Sequence, residues 1–91
     1  MTTVPRPVQV AVVENPGCHF CDDAHAGLAG LAGLARDGHA IQVTSLDARA
    51  ADGQALMREH RAAMTPLVLV DGSFFSQGRL PRRKLLRLLG A

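Results

Sequence analysis

Cys18 and Cys21 are the two residues of this chain whose type and spacing can do covalent chemistry. They stand as Cys18-His19-Phe20-Cys21, between a strand-like run, Val8–Val13, and an alanine- and leucine-rich run that reads as a helix. A helix N-terminus carries unpaired N–H groups and a partial positive charge, and both stabilise a thiolate. The thiolate is the nucleophilic form, so the first cysteine of such a pair can attack a disulfide at neutral pH. The second, about one helical turn on, can then attack the mixed disulfide and release the product. Cys18, at the helix mouth, is the expected nucleophile. Cys21, already inside the helix and more buried, is the expected resolving thiol. His19 as a cation would stabilise the Cys18 thiolate and make the pair a stronger oxidant. Asp22 and Asp23 oppose that thiolate by like charge, but they suit the first turn of a helix.

A metal reading of the same residues is less well supplied. A closed zinc site needs four ligands, often as two paired sets. The chain has one cysteine pair, and His19, His25, His39 and His60 show no paired spacing. His25, four residues after Cys21, would complete only a three-ligand set and reads as a polar surface residue. His60 reads as a packing or capping residue. No metal ligands are assigned.

The elements that must hold the pair follow from pattern. Ninety-one residues make one domain, with 1–7 a tail and 8–91 the folded unit, and a 47% hydrophobic content fits a modest core. Val8–Val13 reads as a central strand buried on both faces, broken by Asn15-Pro16-Gly17. A helix is expected from about Phe20 to Ala35, ended by Asp37-Gly38. Its Gly27, Gly30 and Gly33 recur every third residue, which reads as local low complexity rather than as close packing on the sheet. Ala40–Ser45 alternates like a half-covered edge strand. Asp47 or Asp52 is expected to cap a second helix running to about His60, with Leu56, Met57 and His60 toward the sheet. Leu67–Val70 reads as a buried strand, and Asp71-Gly72 as a hairpin turn returning the chain through Ser73–Ser76. Pro81 suits the first position of a last helix whose apolar side is Leu85, Leu86, Leu88 and Leu89, with Gly90 at its end.

Charge and composition narrow the partners. A net charge of +2 and the absence of Trp and Tyr leave little for nucleic acid, with Phe20, Phe74 and Phe75 the only aromatic rings for stacking besides histidine. Arg79, Arg82, Arg83, Lys84 and Arg87 form the densest basic cluster; Arg79 apart, they read as the solvated face of the last helix. Residues 1–7 lack the charged start and apolar core of a signal peptide, and no apolar run nears the roughly 20 residues that span a bilayer. The expected setting is cytoplasmic, where two isolated cysteines are more often catalytic or metal-binding than a structural staple.

Val8–Val13 followed by Asn15-Pro16-Gly17-Cys18-His19-Phe20-Cys21, and later Thr65-Pro66-Leu67-Val68-Leu69-Val70-Asp71-Gly72, resembles the thioredoxin superfamily. The short chain and the Pro-Gly-Cys-x-x-Cys entry are most similar to small glutaredoxin-like proteins. The resemblance implies an α/β, thioredoxin-like fold of order β-α-β-α-β-β-α, a four-stranded mixed sheet flanked by three helices. It implies Cys18 as nucleophile, Cys21 as resolving cysteine, Pro66 as a cis proline and Thr65 as the backbone contact for substrate; the residues alone leave the Thr65–Pro66 isomer open. Asn15, Phe20, Gly78 and Arg79 complete the substrate-binding set that it implies. Asn15 stands where glutaredoxins often carry a basic residue, Met64-Thr65-Pro66 replaces Thr-Val-Pro, and Ser76-Gln77 replaces a Gly-Gly pair. The activity implied is reduction of protein disulfides or of mixed disulfides with a low-molecular-weight thiol, by a monomer holding no bound cofactor. Glutathione or another small thiol would be cosubstrate, and a thiol or flavoprotein reductase would reset the pair. Two other readings stay open: a metal or iron–sulfur protein using Cys18 and Cys21, and a thioredoxin-like interaction module that does not turn over.

Overall fold

The β-branched run that opens the domain forms strand β1, Val8–Glu14. The structure is a computed structural model and describes residues 8–34 and 41–88. The 1–7 tail, Ala35, the Asp37-Gly38 stop, His39, Ala40, Leu89 and Gly90 lie outside the described residues. Strand β2, Ile41–Asp47, runs parallel to β1 on one side; β3, Leu67–Val70, runs antiparallel on the other. Strand β4, Ser73–Gln77, pairs with β3 and completes a four-stranded mixed sheet of order β2-β1-β3-β4. Helices α1 (His19–Leu34), α2 (Ala51–Glu59) and α3 (Arg82–Leu88) give the order β-α-β-α-β-β-α. The Asp71-Gly72 hairpin has positive φ at both central residues, +49° and +83°, as the tightest hairpin turns require.

Period-two alternation divides the apolar residues between the two faces of the sheet. Val10 pairs with Val70 and Val12 with Val68, and these four face α1 and α3. Ala11 pairs with Leu69 and Val13 with Leu67, and these face α2. The first face gathers Ala24 and Leu28 of α1, Phe75, Leu80 and Leu85 around the valines. The second has Leu56 and Met57 of α2 half-buried over Val13, Leu67 and Leu69.

Several expectations need correction. Strand β2 is an edge strand, but it is exposed along most of its length rather than alternating, and Val43 stays 40% exposed. The cluster under α1 draws on β1, β3 and β4, and Ile41 is the β2 side chain packed against it. Neither Asp47 nor Asp52 caps α2. The N-cap is Ala50, with no side-chain hydrogen bond. The Asp47 carboxylate instead accepts the Arg49 amide and guanidinium, while Asp52, in the first turn, accepts the Gly53 N–H. The far end of α2 is as expected: the helix runs to Glu59, with His60 as its C-cap. Pro81 lies one residue before α3, where its carbonyl accepts the first helical hydrogen bond from Leu85. Leu88 is 53% exposed, so the apolar side of α3 rests on Leu85 and Leu86. Low complexity does not account for Gly27: it is buried, and a Cβ there would lie 3.2 Å from both Arg82 Nε and Leu80 Cδ2.

Candidate functional site

The chain leaves β1 through a turn that its residues dictate. Cys18 N–H donates to the Asn15 carbonyl at 3.3 Å, closing Asn15-Pro16-Gly17-Cys18. Proline in the second place and a glycine at φ +72° in the third are the residues that a type II turn demands. That turn delivers Cys18 to the N-cap position of α1, where its carbonyl accepts the Asp22 N–H at 3.2 Å. The sulfur then does what an N-cap oxygen does elsewhere. Cys18 Sγ accepts the Cys21 N–H at 3.2 Å, one of the otherwise orphaned donors of the first turn.

Cys18 and Cys21 are joined as a disulfide, with Cα atoms 5.2 Å apart. Their environments differ. Cys18 is half-buried, whereas Cys21 is 2% exposed and begins the sheet-facing stripe of α1 that continues as Ala24 and Leu28. The spacing of i, i+3 and i+7 puts all three on one helical face.

The loop before β3 closes on the sulfur. The Thr65–Pro66 peptide bond is cis. The Thr65 hydroxyl donates to Cys18 Sγ at 3.5 Å, and the Thr65 carbonyl oxygen lies 3.8 Å from the same atom. Asn15 Nδ2 donates in turn to Thr65 Oγ1 at 3.4 Å. Asn15, in the turn after β1, Cys18, at the N-cap of α1, and Thr65, in the loop before β3, therefore form one chain of contacts. Pro66 is buried, and its carbonyl accepts the Gly78 N–H at 3.0 Å, which ties the far end of β4 to the same loop.

The remaining expected residues spread outward. His19 and Phe20 are exposed beside the pair, their rings 6.3 Å apart. Arg79 is exposed and lines a cleft of about 620 Å³ with Asp23, Pro81 and the basic residues of α3. Neither cysteine lines that cleft. Within the basic cluster Lys84 is committed elsewhere: its Nζ donates to the Phe75 carbonyl at 3.0 Å and sits 4.8 Å above the Phe75 ring. His25 meets no cysteine; Nε2 bonds the Glu14 carboxylate, with Ser45 Oγ 3.5 Å away.

Three residues near the pair gave no signal in the sequence. Glu14 lies one residue beyond the expected Val8–Val13 strand and ends β1. It lines a second cavity, of about 240 Å³, together with Cys21, Asn15, Gly17, Ser45 and Asp47. Ser45 belongs to an edge strand whose register against β1 the sequence leaves open. Met64, just before Thr65, is 49% exposed and rests its Cε against Gly78.

The Asp47 carboxyl, at the rim of the second cavity, is lowered to about 2, chiefly by the Arg49 side-chain and amide hydrogen bonds. The arrangement can make and break one disulfide at an accessible sulfur backed by a buried one. Among the described residues no group of three or more His, Cys, Asp or Glu is placed to hold a metal ion, and no helix is long and apolar enough to cross a membrane. No protein-family model matches the chain, and no curated protein matches it. What fold and site define is a small α/β protein with a disulfide-bonded Cys-x-x-Cys pair at a helix N-terminus, a state compatible with redox function.

Proposed function

We propose that this chain is a thioredoxin-like, glutaredoxin-like thiol–disulfide oxidoreductase that reduces disulfides through Cys18 and Cys21. The reading is carried by the N-cap sulfur: Cys18 Sγ accepts the Cys21 N–H at 3.2 Å while remaining half-buried beside Thr65. A sulfur so placed is stabilised as a thiolate by a fixed donor and by the helix terminus. The sheet order and the Thr65 loop in contact with Cys18 support the thioredoxin-like reading.

The reduced protein attacks a disulfide with Cys18, giving a mixed disulfide and expelling one thiol. Cys21 attacks Cys18 Sγ, expels the second thiol and closes the Cys18–Cys21 bond. A small thiol such as glutathione, or a flavoprotein reductase, restores the dithiol. Asn15 in place of a basic residue favours substrates that do not depend on a carboxylate contact at that position. The exposed Phe20 and Met64 supply an apolar surface for a protein substrate.

A mixed disulfide of glutathione with a short peptide tests the roles. Cys21→Ser is expected to stop at one covalent adduct on Cys18, visible by mass, and Cys18→Ser to form none. Wild type is expected to release both thiols and end as the intramolecular disulfide. Equilibration in thiol–disulfide buffers should give one two-electron transition between about −200 and −270 mV. A Cys21→Ser protein that traps no adduct, or a wild type that forms no intramolecular disulfide in any buffer, removes the reading.

A further inference from the structure

The stretch between α2 and β3 carries Thr65 to Cys18, and its backbone N–H groups show how it is held. Arg61 and Ala62 N–H donate back to α2, to the Arg58 and Met57 carbonyls. The next two donate forward instead. Ala63 N–H and Met64 N–H both reach Gln77 Oε1, at 2.9 and 3.2 Å. Resting on the dithiol reading above, we propose that Gln77 is a positioning residue for Cys18: its carboxamide oxygen holds the Thr65 loop so that the Thr65 hydroxyl meets the sulfur.

Three features give this contact its weight. Both donors are backbone N–H groups, so the atom between them is the carboxamide oxygen, and the two bonds use both of its lone pairs. Gln77 ends β4 and pairs with Leu67 of β3, so the acceptor stands on a strand rather than on a second loop. The neighbouring contacts act at the same place. Gly78 N–H donates to the Pro66 carbonyl at 3.0 Å, and Met64 Cε rests against Gly78. Ala63, Met64 and Pro66 are therefore tied to the end of β4, and Thr65 lies between them.

Thr65 is the residue that needs such holding. Its hydroxyl donates to Cys18 Sγ at 3.5 Å, and Asn15 Nδ2 meets the same oxygen at 3.4 Å. Hydrogen bonds weaken steeply once their alignment is lost. When Cys18 is reduced and ionised the hydroxyl donates to a thiolate, and a bond to a charged acceptor is roughly twice as strong as a neutral one. A shift of the loop therefore changes how readily Cys18 ionises, although Gln77 itself bonds only the backbone beside Thr65.

Alkylation of reduced Cys18 by iodoacetamide across pH, followed by mass, tests this. Gln77→Met keeps the length of the side chain and removes the acceptor. It should slow alkylation at neutral pH by about threefold, less than loss of the hydroxyl itself would. The deficit should vanish in alkali, where both proteins are fully ionised. In a Thr65→Val background the same substitution should change nothing, because the path from Gln77 to the sulfur is already cut. Gln77→Glu keeps an acceptor oxygen and should restore most of the rate at high salt, which screens its added charge. In wild type, hydrogen exchange should find the Ala63 and Met64 amides protected, a readout that stands even if Gln77→Met fails to fold. Equal slowing in both backgrounds, a wild-type rate for Gln77→Met, a deficit that persists in alkali, or amides that exchange freely overturns the proposal. A wild-type Cys18 that titrates like a free thiol overturns the thiolate reading of the site, and this proposal with it.

Discussion

The two faces of the sheet are built to different standards. On the α1/α3 face nine buried residues from β1, β3, β4, both helices and Leu80 form one cluster. On the α2 face three residues, Val13, Leu67 and Leu69, are buried, and a half-buried rim that includes Leu56 and Met57 covers them. The Cys18–Cys21 disulfide is mounted on the heavier face. Cys21 belongs to the same stripe as Ala24 and Leu28, so core packing sets where the buried sulfur sits. Helix α2 carries no site residue, and close backbone contact fixes its start: a Cβ on Gly53 would collide with the Asp47 carbonyl. Dense packing thus lies under the disulfide, and lighter packing lies on the opposite face.

Truncating one leucine on each face is the strongest way to break that comparison. Leu28 is 1% exposed, and Leu28→Ala should cost about 3 kcal/mol, within the range for a buried leucine that leaves a cavity. Leu56 is half-buried, and Leu56→Ala should cost about 1 kcal/mol because solvent already reaches part of it. Urea unfolding at constant slope measures both; equal costs would mean that the faces are not different in kind. The helical glycines give the next largest contrast, with the sign reversed. Gly53→Ala should destabilise by about 2 kcal/mol, because the obstacle is backbone. At Gly27 the obstacles are the ends of the Arg82 and Leu80 side chains, which can move. The helix-propensity gain of about 1 kcal/mol should leave Gly27→Ala near wild type.

These contrasts also mark what the sequence could disclose. The strands, the Asp71-Gly72 hairpin and the cysteine-bearing helix were legible because each is a local pattern: a β-branched run, two turn residues, a Pro-Gly break before a helix. Local patterns likewise placed Cys18 outside and Cys21 inside. Capping of α2 was misread because an aspartate before a helix competes with its own near neighbours, and here Arg49 supplies both an amide and a guanidinium to Asp47. The close approach at Gly27 was missed because Leu80 and Arg82 make it, from more than fifty residues away along the chain. The same holds for Glu14, His25 and Ser45, which meet only through the parallel register of β1 and β2 and the seating of α1 across them. Long-range register is the information that one-dimensional spacing lacks.

The polar contacts at the site are weaker than either core, and they sharpen the comparison from the functional side. Thr65→Val keeps the shape of the side chain and removes the hydroxyl that donates to Cys18 Sγ. One neutral hydrogen bond is worth roughly 1 kcal/mol, so alkylation of reduced Cys18 by iodoacetamide at neutral pH should slow by up to about fivefold. Thr65→Ser should restore most of the rate. Asn15→Ala, which removes only the donor to Thr65 Oγ1, should slow it less. Urea midpoints should barely move in any of these variants. A Thr65→Val protein that loses stability but not thiol reactivity would make Thr65 a packing residue.

The smallest expected effect lies on the lightly packed side, at the Asp47–Arg49 pair that leads into α2. The Asp47 carboxyl is lowered from 3.8 to about 2 by the Arg49 hydrogen bonds, so the folded state holds its carboxylate more tightly than the unfolded chain does. The sign follows from that direction. The pair stabilises the fold fully above the unfolded value of 3.8, and loses that contribution as pH falls toward about 2. Arg49→Gln should therefore lower stability slightly at neutral pH, and its curve should converge on that of wild type in acid. Both side chains are well exposed, at 67% and 42%, so the neutral-pH difference should shrink as salt is added. Alkylation of Cys18 should not change, because Arg49 bonds Asp47 rather than the sulfur. A difference that survives high salt would show that α2 is held by more than backbone contact and a half-buried rim, and the contrast between the two faces would narrow accordingly.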